Sequence, residues 1–358
     1  MKICIVGSSL TSLALANALV NNNICVEILT NNKKEIIDHS RTIGITSSNV
    51  KYFNKNIINI EKIIWKLKKI EIYSEKLIKE QLLNFENNNN ELFSMVRSSD
   101  LYKILRNNLK KNKFFKKKNQ KNLINIQDEY DLVINPDFSS LIAKKYFSKK
   151  IIKKYKSIAC TGILSHQKTS NNIATQIFTK FGPLAFLPIS NVETSVVYSI
   201  KNSENIKLND LSNLINKYNL KYKIKKIKKI SSFKLFSVNL RSYYHKNILA
   251  FGDITHKIHP LAGQGFNMTI RDIKILVKII KNKIDLGLPL DISVNKEFEK
   301  TSKAKNLIFS NGIDFVYEFF NFENKLDNIF LSKSLQVLGK NSSINKIFIK
   351  LADKGSIF

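Results

Sequence analysis

One sixteen-residue segment, 252–267, places the end of a strand, a rigid loop and the start of a helix next to each other. The apolar run before it, residues 248–251, is typical of a buried strand, and the first glycine of the segment allows a sharp turn. Gly263 and Gly265 leave the backbone bare, so a flat ring could lie against it. A helix that begins near Phe266 would direct free N–H groups and its positive dipole end toward that ring. The segment therefore predicts a site for a planar group that carries negative charge.

A Gly-Asp pair followed by His-Pro-x-x-Gly-Gln-Gly-x-Asn gives this segment a recognisable spacing. It resembles the second FAD fingerprint of the class A flavoprotein monooxygenases, in particular the ubiquinone-biosynthesis hydroxylases. The resemblance implies that Asp253 binds the ribityl chain and that the loop lines the isoalloxazine ring. It also implies that His259 orients the loop, with its polar edge near the ring. The expected flavin contacts in this segment are Gly252, Asp253, Pro260, Gly263, Gln264, Gly265, Phe266 and Asn267.

The N-terminal region has the order of a dinucleotide fold: a strand pattern at 3–6, a turn, a helix pattern at 13–20 and a second strand pattern at 24–29. In such folds the turn holds a pyrophosphate at the helix N-terminus. Only the first glycine of the family pattern is present, because serines stand at the next two glycine positions. Thr30 stands where an acidic residue usually binds the adenosine ribose, so the adenosine half of the site is weakened. The expected phosphate contacts are Gly7, Ser8, Ser9 and Ser12.

A secretory signal peptide is the competing interpretation of this region. Lys2, an apolar stretch and the small-residue pattern at 16–18 imitate one. The polar residues at 7–9 and 11–12 interrupt the apolar stretch, and the following strand completes a βαβ unit. We therefore favour the dinucleotide fold.

Two arginines lie in further segments that resemble the family. Asp38-His39-Ser40-Arg41 is similar to its Asp-x-x-Arg turn, in which the arginine reaches the flavin or its phosphates. A solvated surface arginine is the alternative. The segment 97–105 resembles a Leu-x-x-x-Leu helix that follows a strand, and we include Arg97 among the cofactor contacts. Asp100 could equally be an ordinary helix cap.

The segment 181–188 is similar to the family's substrate-domain signature. The resemblance implies that the Gly182-Pro183 turn and Pro188 shape a loop that faces the flavin. A simple turn between two strands is the alternative. We expect these three residues, together with His259, on the substrate side of the site.

The third motif of the family departs from its pattern. Gly-Ala-Asp-Gly at a strand end serves flavin and nicotinamide handling in the family, whereas this chain has Asn135-Pro136-Asp137-Phe138. Phe138 carries a Cβ where glycine allows close approach, so the backbone path must differ. The chain is either a trimmed enzyme or a relative that has lost chemistry.

Length and composition support a large folded core, since 43% of the 358 residues are hydrophobic. The resemblance implies an α/β fold, with a Rossmann-like FAD-binding domain interleaved with a β-sheet substrate domain as in para-hydroxybenzoate hydroxylase, and C-terminal helices. The FAD-binding domain would comprise 1–65, 96–155 and 246–330. The substrate domain would comprise 66–95 and 156–245, and a helical segment would occupy 331–358.

The net charge of +31 is a usual sign of a nucleic-acid or anionic-membrane partner. Lysines occur throughout the chain and not in one patch, so we predict no nucleic-acid partner and keep a basic RNA-binding protein only as a third hypothesis. Attraction to anionic lipid head groups stays open. Apolar runs are broken by lysine, so no transmembrane helix is expected. We expect a cytoplasmic protein, with peripheral association with the inner membrane as the open alternative.

No side-chain catalytic set stands out. Three cysteines, Cys4, Cys25 and Cys160, share no close spacing, which indicates a reduced compartment. The pair His256 and His259 has no third ligand nearby, so we predict no metal site. Chemistry carried by a cofactor fits this pattern, and we identify no catalytic side chain.

The resemblance implies an FAD-dependent aromatic hydroxylase of ubiquinone biosynthesis. NAD(P)H would reduce the FAD, and a flavin C4a-hydroperoxide would transfer a hydroxyl group to a polyprenylated aromatic substrate. A ubiquinone-biosynthesis complex is a further expected partner. The alternative is a non-catalytic accessory homologue of the same fold with weakened flavin binding.

Overall fold

The computed structural model of the protein describes residues 2–30, 40–77, 80–86, 91–119, 126–201, 208–326, 333–334, 336–337 and 353. The strands within these ranges are β1 Ile3–Val6, β2 Val26–Thr30, β3 Thr42–Thr46, β4 Ile64–Leu67, β5 Lys69–Ser74, β6 Leu83–Glu86, β7 Phe93–Arg97, β8 Phe115–Asn119, β9 Leu132–Asn135, β10 Lys150–His166, β11 Ile173–Thr179, β12 Gly182–Pro188, β13 Glu193–Lys201, β14 Ile224–Leu240, β15 Tyr244–His245, β16 Ile248–Ala250 and β17 His256–Lys257. The helices are α1 Leu10–Val20, α2 Ser47–Asn56, α3 Ser98–Lys110, α4 Leu141–Tyr146, α5 Leu208–Lys217, α6 Gln264–Asp285 and α7 Ile292–Leu326.

The first sheet has the strand order β15-β16-β9-β1-β2-β8, and all its pairings are parallel except that of β15 with β16. Parallel strands that are covered on both faces are apolar along their whole length. The strands β1 and β9 are accordingly buried at every position. Helix α1 follows β1 directly, and its residues 12–20 are all buried. The apolar N-terminal segment thus forms the centre of a dinucleotide-type sheet.

The second sheet has eight strands in the order β17-β14-β10-β13-β12-β11-β5-β6. Its two long strands, β10 and β14, pair antiparallel, with register shifts that bend the sheet. On one face Tyr198 and Leu184 pack against α5. On the other face Tyr155 and Phe178 pack against α7. The sheet is therefore a layer between two helices.

A small antiparallel sheet, β3-β7-β4, connects the two large sheets. Helix α6 packs against β3, α1 and α2. Helix α7 runs alongside α6 and then along the second sheet. The N-terminus of α6 lies where all three sheets come together, and this position defines the site.

The predicted fold class is confirmed: an α/β dinucleotide-type unit is interleaved with a β-sheet unit and followed by helices. The domain division stays a prediction, and its boundaries near 65, 95 and 155 fall inside β4, β7 and β10. The apolar segment 315–320 belongs to α7. Most of the predicted helical segment 331–358 lies outside the described residues. No helix in the described ranges is long and apolar enough to cross a bilayer.

Candidate functional site

A cavity of about 300 Å³ lies at the junction of the three sheets. The loop after β16 and the start of α6 form one wall, with Asp253, Lys257, Ile258, Pro260, Gly263, Gly265 and Phe266. The turn before α1 and the end of β9 contribute Ser9, Leu10, Thr11 and Pro136. The small sheet contributes Arg41, Thr42, Ile43, Gly44, Phe93 and Met95. The large sheet closes the cavity with Thr161, Ala185, Leu187, Ser195, Val197, Phe233, Leu235 and Phe236.

Two glycines of the loop wall differ in the space around them. Gly252 has a φ of +63°, and a Cβ there would lie 3.0 Å from the Cγ2 of Thr11, so the chain turns where only glycine fits easily. At Gly265 a Cβ would meet no heavy atom within 4 Å. The space in front of Gly265 is therefore the cavity itself, and the α6 N-terminus opens into it. Asp253 is exposed in this cavity, where its carboxylate can accept hydrogen bonds.

Two predicted loop residues lie behind this wall. Asn267 is fully buried and accepts a hydrogen bond from the backbone N–H of Thr46 at 2.9 Å, while its Nδ2 donates to the carbonyl oxygen of Gly44 at 3.0 Å. It therefore fixes the start of α6 to β3. Gln264 is also buried, and its Oε1 has no hydrogen-bond partner in the described part of the chain. Buried acceptors without a partner are uncommon in folded proteins, and that Gln264 contacts the cofactor stays a prediction.

The two histidines anchor the loop from behind. The Nε2 of His256 lies 2.6 Å from the Oδ2 of Asp272 on α6, and Asn306 of α7 donates to the same carboxylate at 3.1 Å. In the described ranges, no three His, Cys, Asp or Glu side chains come together as metal ligands.

His259 does not line the cavity, and that its polar edge lies near the ring stays a prediction. Its ring centroid lies 4.9 Å from that of Tyr155 and 4.4 Å from that of Tyr317. Burial, and secondarily Lys153, lowers the pKa of His259 to about 3, so the ring is neutral at physiological pH. The imidazole serves as an aromatic packing group because the face of the second sheet and α7 enclose it.

The N-terminal turn contributes less to the cavity than predicted. Ser9 lines it, but its Oγ accepts a hydrogen bond from the backbone N–H of Ser12 at 3.2 Å and caps α1. Ser12 is fully buried, and Gly7 donates its N–H to the carbonyl oxygen of Leu29 at 2.7 Å. Ser8 is half-buried and does not line the cavity. Of the four predicted phosphate contacts, the structure brings only Ser9 to the cavity.

The two predicted arginines have different positions. Arg41 lines the cavity, whereas Asp38 and His39 of its motif lie outside the described residues. Arg97 forms an ion pair with Glu193 at the start of β13 and does not line the cavity. A carboxylate from a distant strand engages its guanidinium, and contact of Arg97 with the cofactor stays a prediction.

The substrate signature forms a strand and not a loop. Residues Gly182–Pro188 are β12, which pairs with β11 and β13. A Cβ at Gly182 would lie 2.1 Å from the carbonyl oxygen of Ser199, so glycine allows the close approach of β13. Alternate side chains of a strand point to one face, and Ala185 and Leu187 line the cavity. The predicted residues Gly182, Pro183 and Pro188 do not line it.

Lys257 also lines the cavity. The sequence motif did not predict it as a site residue, although it lies between the two histidines of the predicted loop. Its ammonium group lies 3.8 Å from the ring centroid of Phe236. Burial lowers the pKa of Lys257. The ring of Phe138, at the altered third motif, is tilted against that of Phe236 with the centroids 6.5 Å apart, and the ammonium group of Lys150 lies 4.1 Å from the Phe138 centroid. Phe236 thus contacts Lys257 in the cavity lining, whereas Phe138 and Lys150 do not line the cavity.

Curated relatives match only part of this chain. No family model matches the chain. Over 171 residues it is 28% identical to 3-demethoxyubiquinol 3-hydroxylase of Escherichia coli (strain K12), which covers 46% of this chain and 43% of the relative. Over 95 residues it is 33% identical to the ubiquinone biosynthesis monooxygenase COQ6 of Dictyostelium discoideum, covering 26% and 19%. These matches span less than half the length of each curated relative.

Solved structures match nearly the whole chain. p-Nitrophenol 4-monooxygenase PnpA from Pseudomonas putida DLL-E4 superposes with a TM-score of 0.79 at 10% identity, covering 99% of this chain and 97% of that one. HpxO of Klebsiella pneumoniae, complexed with FAD and uric acid, superposes with a TM-score of 0.75 at 12% identity, covering 99% and 96%. At these identities the likeness defines the fold. The protein therefore has the fold of the FAD-dependent monooxygenases, and its sequence is similar to that of the ubiquinone-biosynthesis hydroxylases.

Proposed function

We propose that this protein is an FAD-dependent monooxygenase that hydroxylates the aromatic ring of a polyprenylated ubiquinone precursor, with NAD(P)H as the reductant. One observation carries the proposal. A single cavity has the loop 252–267 and the α6 N-terminus as one wall and apolar strands of the large sheet as the other. A flavin ring on the first wall would face an aromatic substrate on the second.

The loop wall supplies what FAD binding requires. Asp253 offers carboxylate oxygens to the hydroxyl groups of a ribityl chain, and Gly265 leaves room for the ring. The free N–H groups at the start of α6 would stabilise negative charge on a reduced ring. When bound, FAD would supply the electron transfer and the activation of oxygen.

The opposite wall suits an aromatic ring. Ala185, Leu187 and Val197 present apolar surface, and Ile43 and Met95 extend it along the small sheet. Such a wall excludes water from the reacting groups and limits wasteful breakdown of reactive intermediates. The Oγ1 of Thr42 donates to the Oγ of Ser195 at 2.8 Å, so a pair of hydroxyl groups is available to a phenolic oxygen. These groups would orient the ring.

The cavity holds few groups for acid–base chemistry. In the described part of the chain, its charged lining residues are Arg41, Asp253 and Lys257, and no His, Cys or Tyr lines it. The role that this assigns to the protein is positioning and exclusion of water, with the chemistry carried by the cofactor.

Flavin binding tests the proposal. Wild-type protein incubated with FAD should stay yellow after gel filtration removes the free flavin. Asp253→Ala should weaken FAD binding by about tenfold to a hundredfold, because a hydrogen bond to a charged acceptor is lost. Glu297→Ala, an exposed acidic residue on α7, is the matched control and should bind FAD as the wild type does. A yellow protein should then oxidise NAD(P)H in the presence of demethoxyquinol precursors. A protein that stays colourless with FAD would contradict the proposal.

A non-catalytic accessory homologue is the second candidate, and a specific observation favours it. The Oγ1 of Thr30 donates to Asn119 at 2.8 Å, so the position that binds the adenosine ribose in the family has an internal partner. Phe138 places a ring where the family has glycine. Weak FAD binding without NAD(P)H oxidation would support this candidate.

We further propose a peripheral position on the inner membrane, within or beside a ubiquinone-biosynthesis complex. The net charge of +31 would attract anionic head groups, and a polyprenylated substrate resides in lipid. Sedimentation with vesicles of phosphatidylglycerol and phosphatidylcholine tests the membrane part. Binding that is lost at high salt supports it, and equal binding to pure phosphatidylcholine contradicts it.

A further inference from the structure

The charged side chains that line the cavity include more cations than carboxylates. Two cations, Arg41 and Lys257, face one carboxylate, that of Asp253. Neither cation has an ion pair or a side-chain hydrogen bond with any residue in the described ranges. The lining of the cavity therefore carries a net positive charge, which an anion would neutralise.

Lys257 is the less solvated of the two cations. Strand β17 pairs it with Val238 of β14, and its stem and ammonium group pack against the ring of Phe236. Burial disfavours its charged form, Arg41 adds repulsion, and Asp253 offsets part of both. A half-buried ammonium without a close carboxylate is costly unless a ligand provides the opposite charge.

A second positive feature faces the same cavity. The first turn of the eleven-residue helix α1 contributes Ser9, Leu10 and Thr11 to the lining. A helix N-terminus favours phosphate groups. Because the Oγ of Ser9 caps α1 internally, its hydroxyl is already engaged, and side-chain cations become the main source of phosphate affinity.

We propose that Lys257, together with Arg41, forms a phosphate subsite in the cavity that binds the diphosphate of a dinucleotide. The proposal rests on the proposed function and extends it, because it assigns a binding role to a residue between the two loop histidines. Two dinucleotides carry the required group, the resident FAD and the reductant NAD(P)H. Both offer the same chemistry: a diphosphate whose oxygens accept charge-assisted hydrogen bonds from an ammonium and a guanidinium.

The test compares ligands with and without phosphate. Lys257→Met keeps the apolar stem and removes the charge, and Lys257→Arg restores a cation. Lys180→Met is the matched control, because Lys180 also lies over an aromatic ring, that of Phe181 at 5.0 Å, but is exposed and outside the cavity. Dissociation constants are measured for FAD and for riboflavin by flavin fluorescence, and for NAD⁺ and NADP⁺ on the FAD-loaded protein.

We expect Lys257→Met to weaken FAD binding by about tenfold to a hundredfold, the effect of one charge-assisted hydrogen bond. Riboflavin binding should change by less than about twofold, because riboflavin has no phosphate for a charge-assisted hydrogen bond. Lys257→Arg should recover most of the FAD affinity, and Lys180→Met should resemble the wild type. If FAD binding is unchanged and NAD⁺ or NADP⁺ binding weakens to the same degree, the subsite holds the reductant's diphosphate and the proposal stands.

Two outcomes would overturn the proposal. Equal losses of affinity for FAD and for riboflavin would mean that Lys257 contacts the isoalloxazine ring or stabilises the fold. An unchanged affinity for every dinucleotide would mean that Lys257 has no binding role. A wild-type protein that binds no FAD refutes the proposed function instead. In that case the increase in melting temperature on addition of ADP tests the subsite. An increase that disappears in Lys257→Met supports the subsite, and an equal increase in both proteins contradicts it.

Discussion

The buried amide of Asn267 on α6 joins two secondary-structure elements that the sequence separates by more than two hundred residues. Its Oδ1 accepts a hydrogen bond from the backbone N–H of Thr46 at 2.9 Å, and a second one from the Nδ2 of Asn49 at 2.9 Å. Its Nδ2 donates to the carbonyl oxygen of Gly44. The bare loop before α6 is therefore held against the small sheet by one side chain.

Asn267→Ala should lower the free energy of unfolding by about 2–4 kcal/mol, because it leaves buried backbone groups of β3 without partners. Urea unfolding measures this change. Asn282→Ala, an exposed position on the same helix, should change the stability by less than about 0.5 kcal/mol. Equal effects of the two substitutions would show that the amide does not fix the loop.

The pair His256 and Asp272 should be energetically coupled. Their side chains lie 2.6 Å apart and are each 1% exposed, and Asn306 completes the contact. Asp272→Ala should cost about 3 kcal/mol, because it leaves buried donors unpaired. In a double-mutant cycle with His256→Ala, the losses should fall short of additivity by about 1 kcal/mol or more. Simple additivity would mean that the two side chains act independently.

His259 should make the stability dependent on pH. Its pKa is about 3 in the folded protein and about 6.5 when unfolded, so the unfolded state binds the additional proton. The contribution of the buried neutral ring to the free energy of unfolding is complete above pH 6.5 and is lost as the pH falls toward 3. The slope is about 1.4 kcal/mol per pH unit in that window.

His259→Phe keeps an aromatic ring between Tyr155 and Tyr317 and removes the titration. The difference in unfolding free energy between wild type and variant, measured at pH 7 and at pH 5, should change by about 2 kcal/mol. A difference that is constant with pH would place the folded pKa of His259 near its ordinary value.

Gly265→Ala should separate folding from flavin binding. A Cβ at this position meets nothing in the protein, so the substitution should leave the apoprotein unharmed and can stabilise α6 by up to about 1 kcal/mol. The new methyl group enters the cavity and should weaken FAD binding by about tenfold. Gly312→Ala, equally open but on α7, is the control and should not change FAD binding. An unchanged FAD affinity of Gly265→Ala would mean that the isoalloxazine ring lies elsewhere.

The fold and one wall of the site follow from local sequence signals. The loop 252–267 is recognisable because its glycines, its proline and its aspartate are close in the chain, and the same holds for the βαβ start. Asp253, Pro260, Gly263, Gly265 and Phe266 line the cavity, and their contact with a flavin stays a prediction.

Long-range partners determine the positions of several predicted residues. Glu193 pairs with Arg97, from which it is separated by 96 positions in the sequence, and no local sequence pattern predicts that ion pair. Tyr155 and Tyr317 enclose His259, although they come from a different sheet and from α7. The segment Gly182–Pro188 contains two prolines and a glycine, which favour a turn, but pairing on both edges makes it a strand.

The thirty-five residues of α7 give it a length of about 50 Å. Near its start, the ring of Phe298 packs 5.6 Å from that of Phe251, beside the first sheet. Near its end, Phe320 stacks on Phe178 of the second sheet at 3.5 Å. One continuous helix thus packs beside both the first and the second sheet. The two sheets cannot separate as rigid bodies without breaking α7 or its packing, so any opening of the cavity has to come from local motion of loops and side chains at its edge.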